Sequence, residues 1–519
     1  MERIKRRSVL ESSLDVAGPS SSRAIDDEES NAHLSLHLSP EPPSPSNEDP
    51  LRNDQSDKEP ELPNPVDENS SLRRSLRRRN KSEQGGTAVF NWTPNRRTRR
   101  NSTVSTTSHQ SAGSSKKRAR RASVPSAFPL EEEMMTLCSR ARLGQAGMER
   151  LRQLVRDRSI NVNYYNEELI TPLLSLCQKH KAETLLDCVE LFLERPDLDL
   201  NLRHGACEGK TGCFNALPMV CRHYKGSNLY DIVRLLLKGG INPAVADING
   251  DNALIVLCAN YKHDSIVDVM ELLLRRQRLD VHATNRYHWD ALFVLCYNYK
   301  GSKLRDAIEL LIEDSANVQN KALDGWDCLM ALVTEQRNHP EFVEIVELLV
   351  ENGVDVTSHD NIERFTALFL ICANYKGDRL VELVRLLVEN GADTSHASTA
   401  VKSLDWTALH FLARNEKQNQ HFLTIVRLFV DNGFDLNEAD GNGRTLFHFL
   451  CKERMGVNQL KIVRQLVVLG SLIPRYRFNL MAVDNEGNKP IDYLRKQKNI
   501  DQNVKTDLIK FIVDASKVA

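Results

Sequence analysis

Thr407-Ala408-Leu409-His410 opens a segment that runs through the apolar stripe Ile425-Val426-Arg427-Leu428-Phe429-Val430 to Asn432-Gly433-Phe434-Asp435-Leu436-Asn437. The same order of signals recurs along the chain. Equivalent openings are Thr171-Pro172-Leu173-Leu174, Asn215-Ala216-Leu217, Asn252-Ala253-Leu254, Asp290-Ala291-Leu292-Phe293, Asp327-Cys328-Leu329, Thr366-Ala367-Leu368-Phe369 and Thr445-Leu446-Phe447-His448. From Ala216 to Leu446 the second residue of the opening recurs at spacings of 37, 38, 37, 39, 41 and 38. A second stripe with helical periodicity follows each opening, as in Ile345-Val346-Glu347-Leu348-Leu349-Val350. Gly353, Gly391, Gly433 and Gly470 stand where the stripe stops, since glycine takes the left-handed conformation that ends a helix. Turn signals come next, clearest at Asp247-Ile248-Asn249-Gly250, Asp324-Gly325, Asp440-Gly441-Asn442-Gly443 and Asp484-Asn485-Glu486-Gly487. Self-similarity at a fixed period is the mark of a stacked repeat array, in which no unit buries its apolar face alone.

Two antiparallel helices, a T-A-L-H-like opening, a glycine stop and a D-x-x-G hairpin resemble the ankyrin repeat family. The resemblance covers about three quarters of the chain and implies an all-α fold, an ankyrin-like helical solenoid with short hairpin loops. The period departs from the usual length of about 33 residues. The extra residues fall between the two helices, around Asn298-Tyr299-Lys300-Gly301 and Asn374-Tyr375-Lys376-Gly377, and predict a longer helix or a longer inter-helix loop. With atypical units at both ends, the array is expected over 130–519 as about ten units.

Residues 1–128 read differently. They are rich in Ser, Pro, Asn and charge and hold only three aromatic side chains, Phe90, Trp92 and Phe128. Such a stretch buries too little apolar surface to offset the entropy of ordering, which predicts a long disordered N-terminal arm. Its charge is divided: 1–70 carries net −9 and 71–123 net +14, although the whole chain sums to −1. Two basic clusters, Arg96-Arg97-Thr98-Arg99-Arg100 and Lys116-Lys117-Arg118-Ala119-Arg120-Arg121, resemble nuclear import signals. Ser102 and Ser123 each follow paired arginines at the spacing basophilic kinases read. Phosphate there would add about −1.5 to −2 charge beside the clusters and weaken their field.

The 11 cysteines lie between Cys138 and Cys451, and their odd number argues against a disulfide framework. The N-terminal residues lack the apolar core of a secretory signal, and no apolar run approaches the 18–20 or so residues that span a bilayer. The expectation is an intracellular chain in a reducing compartment, with no membrane partner and a nuclear or nucleocytoplasmic location.

Four features raise chemistry. Cys177, Cys221, Cys258, Cys296, Cys372 and Cys451 share one repeat position. A metal or redox ladder is one reading; a small hydrophobe on a buried helix face is the one their chemistry favours. His204, Cys207, Cys213, Cys221 and His223 cluster around a glycine-containing hairpin, without the C-x₂-C pairing of ordinary zinc sites. No metal or other cofactor is therefore expected. Tyr224-Lys225, Tyr261-Lys262, Tyr299-Lys300 and Tyr375-Lys376 form a ladder after the first helix, interrupted by Thr334-Glu335-Gln336-Arg337. It reads either as a binding stripe for an acidic, extended partner or as packing and helix-end capping between units. One charged position recurs in the second stripe as Arg234, Glu271, Glu309, Glu347, Arg385, Arg427 and Arg464, predicting weak pairs between Arg234 and Glu271 and between Glu347 and Arg385.

Phosphate loops, G-x-G-x-x-G, H-E-x-x-H and G-x-S-x-G are all missing from the sequence. The expected function is noncatalytic: a protein–protein interaction scaffold or adaptor, regulated by phosphate on its basic arm. The family resemblance implies a monomer. The alternative is a nuclear, chromatin-associated regulator whose basic arm contacts nucleic acid.

Overall fold

A polar side chain before an apolar run starts most of the recurrent first helices. In the computed structural model, Thr171, Asn252, Asp290, Asp327 and Thr366 accept hydrogen bonds from the main-chain N–H groups of Leu174, Ile255, Phe293, Met330 and Phe369, three residues on. Each bond satisfies a donor that the first turn of a helix cannot pair internally. Asn215 does the same for Leu217. In the two T-x-x-H openings the histidine takes part. His410 Nδ1 accepts from the Thr407 N–H at 3.1 Å and meets its hydroxyl at 2.9 Å. His448 repeats this with Thr445 at 3.0 Å for both contacts.

The structure describes residues 128–203, 214–277, 279–398, 405–414, 419–452, 457–498 and 500–518. The expectations of a disordered arm, import-like clusters and phosphorylation at Ser102 and Ser123 fall on 1–127, outside these residues, as do His204, Cys207 and Cys213. Among the described residues, ten helix pairs run from Pro129–Cys138 with Gln145–Arg156 to Pro490–Lys496 with Gln502–Val518. First helices pack on the first helices of adjacent pairs, and second helices on second. The β-structure among the described residues is confined to one two-residue antiparallel pair, Ala397–Ser398 with Trp406–Thr407, and two isolated bridges.

The first helices lie between neighbours on several sides, so their sequence is apolar nearly all round. In Ala291–Asn298, every residue from Ala291 to Cys296 is buried. The second helices keep one polar face, as in Leu380–Glu389, where Leu380, Leu383, Val384, Leu387 and Val388 are buried.

The link between the two helices is nearly constant in length. First helices keep eight residues in Ala216–His223, Ala253–Asn260, Ala291–Asn298 and Ala367–Asn374. The second helices of these pairs begin at Leu229, Ile266, Leu304 and Leu380, leaving five linking residues each time. The residues between the two helices are therefore loop and not helix, and the 41-residue spacing comes instead from the longer stretch 390–407 that follows Leu380–Glu389.

Gly353, Gly391 and Gly433 end second helices with φ of 83°, 94° and 92°. Gly470 corrects the sequence reading: it lies inside Val457–Leu472 and does not stop it. A Cβ there would sit 2.7 Å from the Tyr476 carbonyl oxygen, so this glycine admits a close chain crossing. The charged position in the second stripe also pairs differently. Glu347 meets Arg379 at 3.8 Å, Arg385 pairs with Glu389, and Arg234 pairs with Asp231. The expected partners across units share a repeat position, but the ions that meet lie at different heights on their helices.

Candidate functional site

The residue that ends the first helix is structurally equivalent along the array. It is Ser139, His180, Tyr224, Tyr261, Tyr299, Gln336, Tyr375 and Gln497 in the pairs where the cap is described. Nearly all of these side chains turn back toward the preceding unit. The Tyr261 hydroxyl donates to the Gly226 carbonyl at 2.9 Å, and the Tyr299 hydroxyl lies 3.5 Å from that of His263. The Tyr224 hydroxyl donates to Asn228 Oδ1, whose amide bonds the Glu183 carbonyl at 3.1 Å. His180 Nδ1 reaches the Arg140 carbonyl at 3.2 Å, and Gln497 Nε2 donates to the Lys452 carbonyl at 2.6 Å. Where the tyrosine is missing, Gln336 Nε2 donates to the carbonyls of Cys296 and Tyr299 at 2.8 and 2.7 Å.

The ladder tyrosines are core residues. Tyr224, Tyr261, Tyr299 and Tyr375 are 0, 1, 0 and 8% exposed. Burial raises the phenol pKa of each, that of Tyr299 to about 12. Each ring except Tyr261 folds over the glycine two residues on, and a Cβ on Gly226, Gly301 or Gly377 would overlap the ring and its hydroxyl. These glycines make room for a side chain instead of supplying a positive φ.

The lysine beside each tyrosine points the other way, and all four are exposed. Lys225 Nζ donates to the Arg222 carbonyl at 3.0 Å and to that of Asn260, the last residue of the next first helix. Lys300 Nζ donates at 2.6 Å to the carbonyl of Glu335, which holds the same place in its own unit, and lies 3.3 Å from that carboxylate. Carbonyls at a helix C-terminus lack internal partners and carry the negative end of the helix dipole. Tyrosine and lysine thus fasten one unit to the units before and after it.

These loops border a groove of about 490 Å³ lined by Arg222, His223, Lys225, Lys262, Tyr297 and Lys300, with Ala259, Asn260, Asn298 and Glu335. Four cations and one carboxylate line it; Arg222 also lies 4.0 and 3.9 Å from the Asp247 and Asp251 carboxylates, and Lys300 pairs with Glu335. Lys262 makes no hydrogen bond or ion pair among the described residues. His223 is pushed down to about 4 by burial first, then by Arg222, Lys225, Lys179 and Lys181. Desolvation by the groove walls holds Lys300 below the usual lysine range against the pull of Glu335, and Lys262 and Arg337 add to the lowering. Tyr297, half buried, stacks on Phe293 with ring centroids 6.2 Å apart.

The structure brings Lys225, Lys262 and Lys300 together and leaves Lys376 off the groove lining. Tyr375 stacks on Phe342 at 5.3 Å. Sequence reasoning missed Arg222, weighed His223 only as a metal-cluster member, and read Glu335 and the backward-reaching Gln336 only as an interruption of the ladder. Their signal was position, since each stands within two residues of the ladder or replaces a member of it. The six cysteines of the repeat position are buried free thiols, and burial drives the thiol pKa of Cys177, Cys221, Cys372 and Cys451 up to about 12. No group of three or more metal-ligating side chains occurs among the described residues, and no described helix is long and apolar enough to cross a membrane.

The family model for ankyrin repeats (3 copies) matches residues 296–398 and 370–477. Among solved structures, the human ASB11 ankyrin repeat domain is similar at 21% identity, over 44% of this chain and 89% of that one, with a TM-score of 0.33. No curated protein matches the chain.

Proposed function

We propose that this chain, which carries ankyrin repeats over 296–477, is a noncatalytic protein-binding scaffold whose partner lies in the groove lined by Arg222, Lys225, Lys262 and Lys300. The observation that carries this reading is the exposed cationic row on loops tied to both neighbouring units. A surface held in place on both sides loses little freedom when a partner arrives, so more of the contact energy appears as affinity. The buried tyrosines act as positioning residues, and the lysines are the members that meet the partner. In this reading the scaffold works as a monomer.

The arm supplies the regulation. Arg96, Arg97, Arg99, Arg100, Lys116, Lys117, Arg118, Arg120 and Arg121 act as the import signal, and phosphate on Ser102 or Ser123 weakens it. Support for this part is sequence alone.

The test is quantitative affinity capture with the full-length chain beside Lys262→Glu, both checked by circular dichroism. Loss of a saturable partner from a normally folded Lys262→Glu chain supports the groove. Full retention of every partner overturns it.

A further inference from the structure

The last unit boundary carries an insertion. From Gly353 to Asp360, and again from Gly433 to Asp440, the chain passes from helix end to hairpin in seven residues; from Gly470 to Asp484 it takes fourteen. Counting back from the aspartate aligns Phe478 and Leu480 with Phe434 and Leu436, all of them buried, so the added residues are 471–477. The helix Val457–Leu472 runs past Gly470, and Pro474–Tyr476 forms a 3₁₀ turn packed against it. The insertion leaves apolar surface in water. Leu472 is 74% exposed, and Val468, one helical turn earlier, is 45% exposed. Exposed apolar surface of this kind marks a place where something binds.

Beside the insertion lies a groove of about 330 Å³. Val467 and Val468 form one wall, Phe478 and Leu480 a second, and Phe511 and Ala515 of the helix Gln502–Val518 a third. Small-molecule sites typically enclose about 300–1,000 Å³ and combine such a lining with a few polar groups that orient the ligand. Three polar side chains stand at this one: Ser471, Asp514 and Arg477. The Ser471 hydroxyl donates to the Val468 carbonyl at 2.7 Å, and Asp514 pairs with Lys517 at 3.1 Å. The Arg477 guanidinium makes no hydrogen bond or ion pair among the described residues. Its main chain is nevertheless fixed on both sides. The Arg477 N–H donates to the Pro474 carbonyl, and its own carbonyl accepts from Asn437 of the preceding unit, each at 3.0 Å.

We infer that this groove binds a small amphiphile: an acyl or aryl body ending in one anionic group. The body lies against Phe478 and Phe511, and the anion pairs with Arg477. A cationic head would meet the guanidinium as a like charge and would find Asp514 already paired. This site stands apart from the groove at Lys262 and does not depend on it.

The experiment is calorimetric titration of the full chain with decanoate, with decyltrimethylammonium of equal chain length, and with acetate as the head group alone. All are kept below their micelle concentrations. Decanoate is expected to bind saturably, one per chain, and about tenfold or more tightly than either control, the scale of one charge-assisted contact. Arg477→Gln should weaken it about tenfold, and Arg477→Glu should invert the preference between the two heads. Ala515→Phe, which fills the groove from the helix Gln502–Val518, should abolish binding in a chain whose circular dichroism is unchanged. Equal binding of the two heads, decanoate binding that survives Arg477→Glu or a folded Ala515→Phe chain, or no saturable decanoate binding overturns the inference.

Discussion

Gln336 donates a hydrogen bond to the main-chain carbonyl of Tyr299 at 2.7 Å, across the boundary between two units. The same amide reaches the Cys296 carbonyl at 2.8 Å. In this unit, which lacks the ladder tyrosine, a shorter side chain thus performs the same backward reach by going to the helix end and not to the loop. Gln336 is buried, so the two carbonyls it serves have no water to replace it.

Gln336→Ala is therefore expected to destabilise the array by about 1–3 kcal/mol, the usual cost of leaving buried polar groups unpaired. Amide exchange in the flanking units, followed by mass spectrometry, should quicken on both sides of the boundary. Unchanged exchange would mean that the contact carries no energy.

The glycine two residues after the tyrosine gives a second prediction. Gly301→Ala should cost about 1–3 kcal/mol, because the new methyl group meets the Tyr299 ring and not a forbidden φ. Tyr299→Phe in the same chain removes the hydroxyl and should recover part of that loss. Urea unfolding of the single and double variants measures the coupling. Additive costs would show that the ring and the glycine are independent.

His410 predicts a pH effect. It is fully buried, and burial pushes its pKa down to about 4, with Asp440 opposing. The folded state favours the neutral ring, which accepts from the Thr407 N–H. Its contribution is complete above the unfolded value near 6.5 and fades as pH falls toward about 4. The loss by that point should be on the order of 3 kcal/mol. Asp290 and Asp327, raised to about 6 by burial, act with the opposite sign over part of the same window. The informative quantity is thus the difference between wild type and His410→Gln, measured by thermal melts from pH 7 to 4. Parallel curves would contradict the assignment.

The cysteine row predicts silence. Thiolate is the reactive form, and these buried thiols hold their protons. Iodoacetamide labelling of the native chain at pH 8 should leave Cys177, Cys221, Cys258, Cys296, Cys372 and Cys451 unmodified in peptide maps. Rapid labelling of any of them would contradict their burial.

The repeat, its polar helix openings and its closing glycines were legible because each is a local rule written about every 38 residues. The loop origin of the long period was not, since Asn298-Tyr299-Lys300-Gly301 suits a helix end or a turn equally well. The ladder was visible as a position but not as a direction. One-dimensional periodicity cannot say that Tyr299 turns back toward His263 while Lys300 reaches forward to Glu335. That difference buries the tyrosine and leaves the lysine on the surface. Gln336 stayed hidden for a related reason: its chemistry differs from tyrosine, and only the shared cap position joins them. Gly470 misled because a glycine that admits a close crossing looks, in sequence, like one that ends a helix.

Hydrogen–deuterium exchange of the full chain, with and without its captured partner, tests the central claim most directly. Protection is predicted in the helix ends and loops at 222–225, 259–262 and 297–300, which carry the cationic row. The exposed hairpin-tip side chains Ile248, Leu323 and Ile362 mark the competing surface. Protection confined to those tips, with the three loops exchanging as in the free chain, would contradict the account.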